Sequence, residues 1–337
     1  MRDKLNQPLT VEGKSSNKKK SNRGKSFGYQ VLGFGAGGGS GDTWVSGMTA
    51  TGGNAVYTIG DYKVHKFTSP GTFSVAALGC GSGGGTGGNI VDYIISGGGG
   101  SGSRTGGGGG GGGMRFSQFF TCAPCRAVSA GGTVSATSYP IVIGAGGGSV
   151  NSDGSLGNPG NPSSFLSLTS TAGGAASNFA YSNPAGPGGS GGGTAHGGGC
   201  AGAGNTPSTT PSQGFPGGKS TAAYNGGGGG GAAEAGGNQT DPAQGVGGNG
   251  LFWPTDALCG ASAGEAGPAG FYFSGGGAGV KSPPGVREGG LGGGGNGGCQ
   301  PDTSGTANTG GGGGGRLNCG TNANGGSGIV LIRYRVA

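Results

Sequence analysis

Charged and apolar residues are both scarce in this chain. Of 337 residues, 9% are charged and 31% hydrophobic. No window approaches the roughly 20 consecutive apolar residues of a membrane-spanning helix, so no membrane insertion is expected. Length alone suggests two domains, but so few apolar residues cannot build two conventional cores. A strict Gly-X-Y period is missing, which excludes collagen. The first residues lack an apolar stretch of signal-peptide length, so assembly in a cytoplasm is the expectation. Cysteines at 80, 122, 125, 200, 259, 299 and 319 are odd in number and irregular in spacing. That pattern argues against a planned disulfide framework, and synthesis in a cytoplasm keeps thiols reduced at first.

Catalytic and cofactor signatures are missing as well. Gly-Lys-Ser occurs at 13–15, 24–26 and 218–220, but each copy lacks the earlier glycine that a phosphate-binding loop requires. Ser190 and Ser262 satisfy the G-x-S-x-G pattern, and His196–Gly199 reads HGGG. At this glycine content, chance alone predicts about three such matches among the 34 serines, so the pattern carries no weight. Cys122 and Cys125 form a C-x-x-C, but no helix-forming sequence comes after it to lower a thiol pKa, and the pair reads as a loop tip. His196 and Cys200 have no partners at metal-ligand spacing. The sequence therefore predicts no enzyme, no cofactor and no metal.

What is present is glycine, at 99 positions. The run Gly106–Gly113 is followed by Gly226–Gly231, Gly292–Gly295 and Gly310–Gly315, with interrupted stretches between Gly186 and Gly204 and between Gly236 and Gly250. Ordering a residue costs about 1–2 kcal/mol of backbone entropy, and glycine loses the most. One net hydrogen bond of roughly 0.5–1.5 kcal/mol per residue does not offset that. Either such runs are disordered, or they pack side by side as extended three-residue-per-turn helices bonded to neighbours all round. Disordered chains are usually rich in charge and poor in aromatics. This chain has little charge but 13 Phe, 9 Tyr and 2 Trp, which favours the packed bundle.

Along the chain, residues 1–25 hold eight basic groups against Asp3 and Glu12, while the other 312 residues carry 11 basic and 10 acidic groups. The basicity belongs to an N-terminal arm. Without interleaved aromatics or a binding fold it predicts no specific nucleic-acid partner, and docking on an acidic protein surface suits it better. Phe27–Gly35 (FGYQVLGFG) behind the arm reads either as a docking plug or as an edge strand of the main domain. Residues 1–41 are thus an arm and docking segment, with Lys18, Lys19, Lys20, Arg23, Phe27, Tyr29, Leu32 and Phe34 as its contact candidates.

Residues 42–60 read as a linker, and 61–337 as the main domain. Asp61–Thr68, Thr72–Leu78, Asn89–Ser96, Gly132–Thr137, Tyr139–Ile143, Ser164–Thr171 and Gly328–Val336 carry strand patterns. The fold class expected is mostly β and irregular: a strand base closed by the first and last strands, a bundle of polyglycine II-type helices, and no α-helical core. Aromatic clusters between glycine runs are the candidate recognition loops: Arg115, Phe116, Phe119 and Phe120; Phe179 and Tyr181; Phe252 and Trp253; Phe271 and Tyr272. Exposed rings give contact area at little entropy cost and stack on sugar faces. The competing reading is that they seal the flanks of the bundle.

The ordered series VHKFTSPGTFSV, VDYIISGGGGSG, YPIVIGAGG, NPSSF, repeated glycine blocks, TANTGGGGGG and GGSGIVLIRY over residues 62–336 resembles the glycine-rich domain of marine bacteriophage structural proteins. More distantly it is similar to the polyglycine-helix adhesins that cap some phage tail fibres. The resemblance implies a structural protein on the virion surface, bound to other virion proteins of the tail, collar or capsid. It also implies loops that contact a glycan or protein on the host cell surface. A homotrimer is the common arrangement of such fibres, and decoration of the head, collar or vertex is the alternative placement. A cellular glycine-rich filament is a third reading, which the missing leader disfavours.

Removal of residues 1–26 is expected to leave a folded domain that no longer enters particles. Melting of the purified protein and composition of purified particles measure the two halves of that expectation, and normal incorporation contradicts it.

Overall fold

The last strand organises the molecule. In a computed structural model of the chain, Ile329–Arg335 (here β14) lies between β3 (Tyr62–Phe67) and β5 (Ile90–Ser96), antiparallel to both. Val330 faces Phe67 on one side and Ile95 on the other, and the register runs on to Arg335 opposite Tyr62. With β2 (Ala55–Ile59) beyond β3, and β6 (Met114–Phe116) and β7 (Gly132–Thr133) beside β5, this makes one six-stranded sheet. The residues described are 47–79, 88–117, 131–152, 155–178, 183–195, 199–221, 224–239, 245–254, 261–281, 285–317, 320 and 322–336. All fall in the second of two units, Trp44–Ala337.

Both faces of that sheet are covered. Val330, Ile332 and Tyr334 join Phe67, Phe73, Tyr93, Ile95 and Phe165 in one buried cluster. This face packs on the sheet of β1 (Thr49–Thr51), β4 (Gly71–Ala77) and β8 (Ser138–Ile141), and on the hairpin of β9 (Ser163–Phe165) and β10 (Leu168–Ser170). Ile329 and Leu331 point the other way, into a cluster with Ile94, Met114, Phe116, Leu251, Trp253 and Phe273. That cluster packs on a third sheet, β11 (Leu251–Trp253), β13 (Gly270–Phe273) and β12 (Glu265–Gly267). Period-two alternation therefore serves two cores at once. Each large side chain so buried is worth about 1.5–3 kcal/mol.

Several expectations need correction. The stretch 42–60 contains β1 and β2, because Ala55–Ile59 is β-prone and Gly60, with φ of +54°, turns it back onto β3. The strands either side of Ser69–Gly71 enter different sheets, since β3 pairs β2 and β14 while β4 pairs β1 and β8. The expected pairing of the domain's first strand, 61–68, with its last is present as β3 against β14, which is central in the sheet, and Met48 N–H donates to the Arg335 carbonyl at 3.2 Å. Ser164–Thr171 is two strands around Leu166. Cys299 is disulfide-bonded rather than reduced, whereas Cys200 is free and exposed.

The glycine runs leave the sheets at one end and are bonded to one another through the main chain. Along Gly106–Gly113 the partners recur every third residue. Gly108 and Gly111 donate to Gly227 and Gly230, Gly109 and Gly112 to Gly313 and Gly310, and Gly110 and Gly113 to Gly174 and Thr171, all at 2.7–3.1 Å. The carbonyls of the same run receive from three further segments. Gly97, Gly100 and Ser103 donate to Gly113, Gly110 and Gly107; Ser190 and Gly193 to Gly111 and Gly108; Gly277 and Val280 to Gly109 and Gly106. One run thus has six neighbours, three accepting and three donating. Threefold recurrence is what an extended helix of three residues per turn generates. No described residue is in an α-helix.

The same register gives the lattice two ends. Residues 97–103 leave β5 and 106–113 return to β6; 171–177 leave β10; 245–250 lead into β11; 274–280 leave β13; 322–328 lead into β14. One end therefore holds the strands, with turns such as 205–213, 232–235 and 305–309 among them, and the other carries no strand among the described residues.

At most glycine positions inside this lattice a side chain has no room. A Cβ on Gly109 would overlap the Gly100 carbonyl, and one on Gly228 the Val246 carbonyl. Gly109→Val and Gly228→Val are each expected to cost at least about 3 kcal/mol, seen as a lower melting temperature. At exposed Gly148 a Cβ meets nothing within 4 Å, so Gly148→Ala should stay within about 0.5 kcal/mol of the parent. Equal melting of all four proteins would contradict the packing.

Candidate functional site at the loop end

The sequence candidates divide between the two ends. Phe116 and Trp253 are wholly buried at the strand end, their rings edge to face at 5.5 Å. Trp253 also meets Phe273 at 5.6 Å. Tyr272 is 8% exposed, Phe252 lies 5.1 Å from its ring, and Phe271 is packed against the second cluster. Arg115 is partly buried in β6 between Met114 and Phe116. Phe116 and Trp253 present no ring to the surface, whereas Phe252 and Phe271 are partly exposed. Phe119, Phe120, Phe179 and Tyr181 lie outside the described residues, as do Lys18, Lys19, Lys20, Arg23, Phe27, Tyr29, Leu32 and Phe34. Ser190 is buried inside the lattice, out of reach of any substrate.

Large exposed side chains occur at both ends: Val56 and Ile59 on β2, with Leu78 and Val142 just past β4 and β8, and Tyr224 (55% exposed) and Val286 (50%) at the loop end. Tyr224 has φ of +55°, a left-handed conformation that a side chain rarely adopts. Its neighbours hold it there. The Asn225 side chain is buried, its carbonyl accepts the Ser220 hydroxyl at 2.8 Å, and its Oδ1 accepts Arg287 at 3.2 Å. Arg287 is itself buried, and it donates to the carbonyls of Gly226 and Val280. Burial lowers the Arg287 pKa, because removing the cation from water disfavours it. A guanidinium pinned under the surface thus ties the bases of two loops, one carrying Tyr224 and the other Val286 and the partly exposed Lys281. Exposed Lys219 ends the adjacent rising run.

A second buried arginine does similar work nearby. Arg316 donates to the Gly320 and Val150 carbonyls at 2.7 Å and to Asn151 Oδ1 at 2.8 Å. Arg104 reaches the Asn151 carbonyl at 2.8 Å. In each of these bonds the guanidinium meets a neutral oxygen. The arginines occupy carbonyls that the runs expose where they stop, as cations do at helix C-termini. Sequence reasoning missed Tyr224 and Val286 because it looked for dense aromatic clusters. Density marks a core, and the better signal was a lone large residue among small ones, as in Thr221–Asn225 (TAAYN).

Two buried titratable groups sit among the strands. Asp92 meets Arg333 at 3.3 Å and accepts the Ser117 hydroxyl at 2.9 Å. Burial raises its pKa, against the opposing pull of Arg333 and Ser117. His65 faces the Gly52 carbonyl with Nδ1 at 2.6 Å, so that nitrogen carries the proton. Nε2 then accepts from the Tyr334 hydroxyl at 3.0 Å. Burial lowers the His65 pKa and pushes that of Tyr334 up to about 12.

A family model described as a glycine-rich domain matches residues 85–335. No curated protein matches the chain.

Because His65 is buried neutral, the unfolded chain takes up the proton first as pH falls through 6.5. Stability is therefore present above that value and is lost below it. Asp92, whose pKa burial raises, works the opposite way. The melting temperature is expected to fall between about pH 7 and 5.5, and to fall less in His65→Gln; parallel profiles for the two proteins would contradict this.

Proposed function

The chain belongs to the glycine-rich domain family, and we propose that it is a bacteriophage structural protein that presents its loop end to the host cell surface. In this reading residues 1–41 dock the protein to other virion proteins, and the lattice is a stiff spacer. The observation that carries it is the separation of the two ends. The first described residues join at the strand end, where Met48 bonds to Arg335, while Tyr224 and Val286 project from the opposite end.

The mechanism is non-covalent. Loops on a rigid scaffold carry recognition well, because the scaffold does not have to be ordered when the partner arrives. Here the scaffold needs from the loop side chains the arginine caps and the asparagines that hold them, Asn225 and Asn151. Loop sequence can then vary with little effect on the lattice. Tyr224 and Val286 are the contact candidates at this end, and a glycan or protein of the host envelope is the partner.

Particles carrying Tyr224→Ala with Val286→Ser are expected to adsorb to host cells about ten-fold more slowly, with unchanged incorporation and melting. Replacement of half-buried Phe252 by alanine should leave adsorption alone. Unchanged adsorption of the double variant overturns the loop-end reading.

A further inference from the structure

A groove of about 620 Å³ opens among the strands, away from the loops. It is lined by Tyr93, Gly132, Thr133, Tyr139, Leu166 and Ser167, among others, and among the described residues no lining residue is charged. Its place is set by the register: Gly132 and Thr133 pair with Val91 and Ile90, at the end of β5 remote from the glycine run after Ser96. The volume is that of a small-ligand site.

Three features of the lining are unusual, and they converge. Leu166, at the turn of the β9–β10 hairpin, has φ of +55°. A branched side chain in the left-handed region is strained, and such strain collects at binding sites. Gly132 lies across from it, and a Cβ there would meet Leu166 Cδ1 and approach the Tyr93 ring. The missing side chain makes room for Leu166 to form the wall of the groove. Tyr139 is fixed before anything binds. Its hydroxyl accepts the Ser135 N–H at 2.7 Å and lies 3.0 Å from the Ser135 hydroxyl, and its ring stands edge-on to Phe165 at 6.3 Å.

We propose that this groove binds a neutral saccharide. A locked, partly exposed tyrosine ring offers a face to the apolar side of a pyranose at little entropy cost. The exposed hydroxyls of Thr133 and Ser167 stand at the rim, where sugar hydroxyls would meet them. The absence of charge in the lining disfavours an acidic sugar, whose carboxylate would lose water without a partner. The site is distinct from the loop end and does not rest on the adsorption reading.

Saturation-transfer NMR and calorimetry of the full chain with maltotriose, cellotriose and chitotriose test it. Saturable binding of at least one is expected. Gly132→Val, which fills the groove, and Leu166→Asn, which keeps the turn but removes the wall, should each weaken binding about ten-fold or more. Melting of Leu166→Asn should be unchanged or higher, since asparagine tolerates the left-handed backbone. No saturable binding of any of the three, or equal binding by parent and both variants, overturns the proposal. Neither result bears on Tyr224 and Val286, whose readout is adsorption.

Discussion

Everything in this protein depends on main-chain N–H groups meeting main-chain carbonyls of other segments with nothing between them. A carbonyl of one run lies where the Cβ of the next would be, as at Gly109 over Gly100 and Gly229 over Gly109. That closeness is also why the interactions suffice. A glycine that bonds outward through both its N–H and its C=O, to two different segments, recovers more than an isolated run could. The close approach adds Cα–H···O contacts to those bonds. The entropic cost of ordering glycine is met collectively, so the lattice is all or nothing over its width. The strands do the rest. They hold the ends of runs in register, because β5, β6, β10, β11, β13 and β14 each continue into one.

The conventional cores are small and sit where the runs are gathered. β14 serves both, with Val330, Ile332 and Tyr334 on one side and Ile329 and Leu331 on the other. At the opposite end no apolar cluster closes the lattice among the described residues. Arg287 and Arg316 cap it, donating to carbonyls where the runs stop. The two ends thus use different chemistry for the same task.

Legibility in the sequence tracks physical period. GIVLIRYRV and DYKVHKFT alternate so plainly that β14 and β3 are readable, and the eight-glycine run admits few ordered states. Short strands are not readable. Leu251–Trp253 and Gly270–Phe273 are too brief to show alternation against a glycine background, so their aromatics look like loop tips. What hides them is partner choice: β11 and β13 pair with each other across a long stretch of chain, a non-local fact. Tyr224 escapes notice for the converse reason. Its position depends on which end of the lattice residue 224 occupies, and that is settled only by the hydrogen-bond register of neighbouring runs.

The threefold recurrence of partners along Gly106–Gly113 constrains how such a chain can change length. Inserting one residue into a run turns each later amide by a third of a revolution, toward a different neighbour. Inserting three restores the facing but shifts the height, so adjacent segments must grow together. Length can therefore change freely only in the loops, or in steps of three applied across the whole cross-section. A family built this way would diverge by loop exchange and by whole layers, and seldom by single deletions within a run.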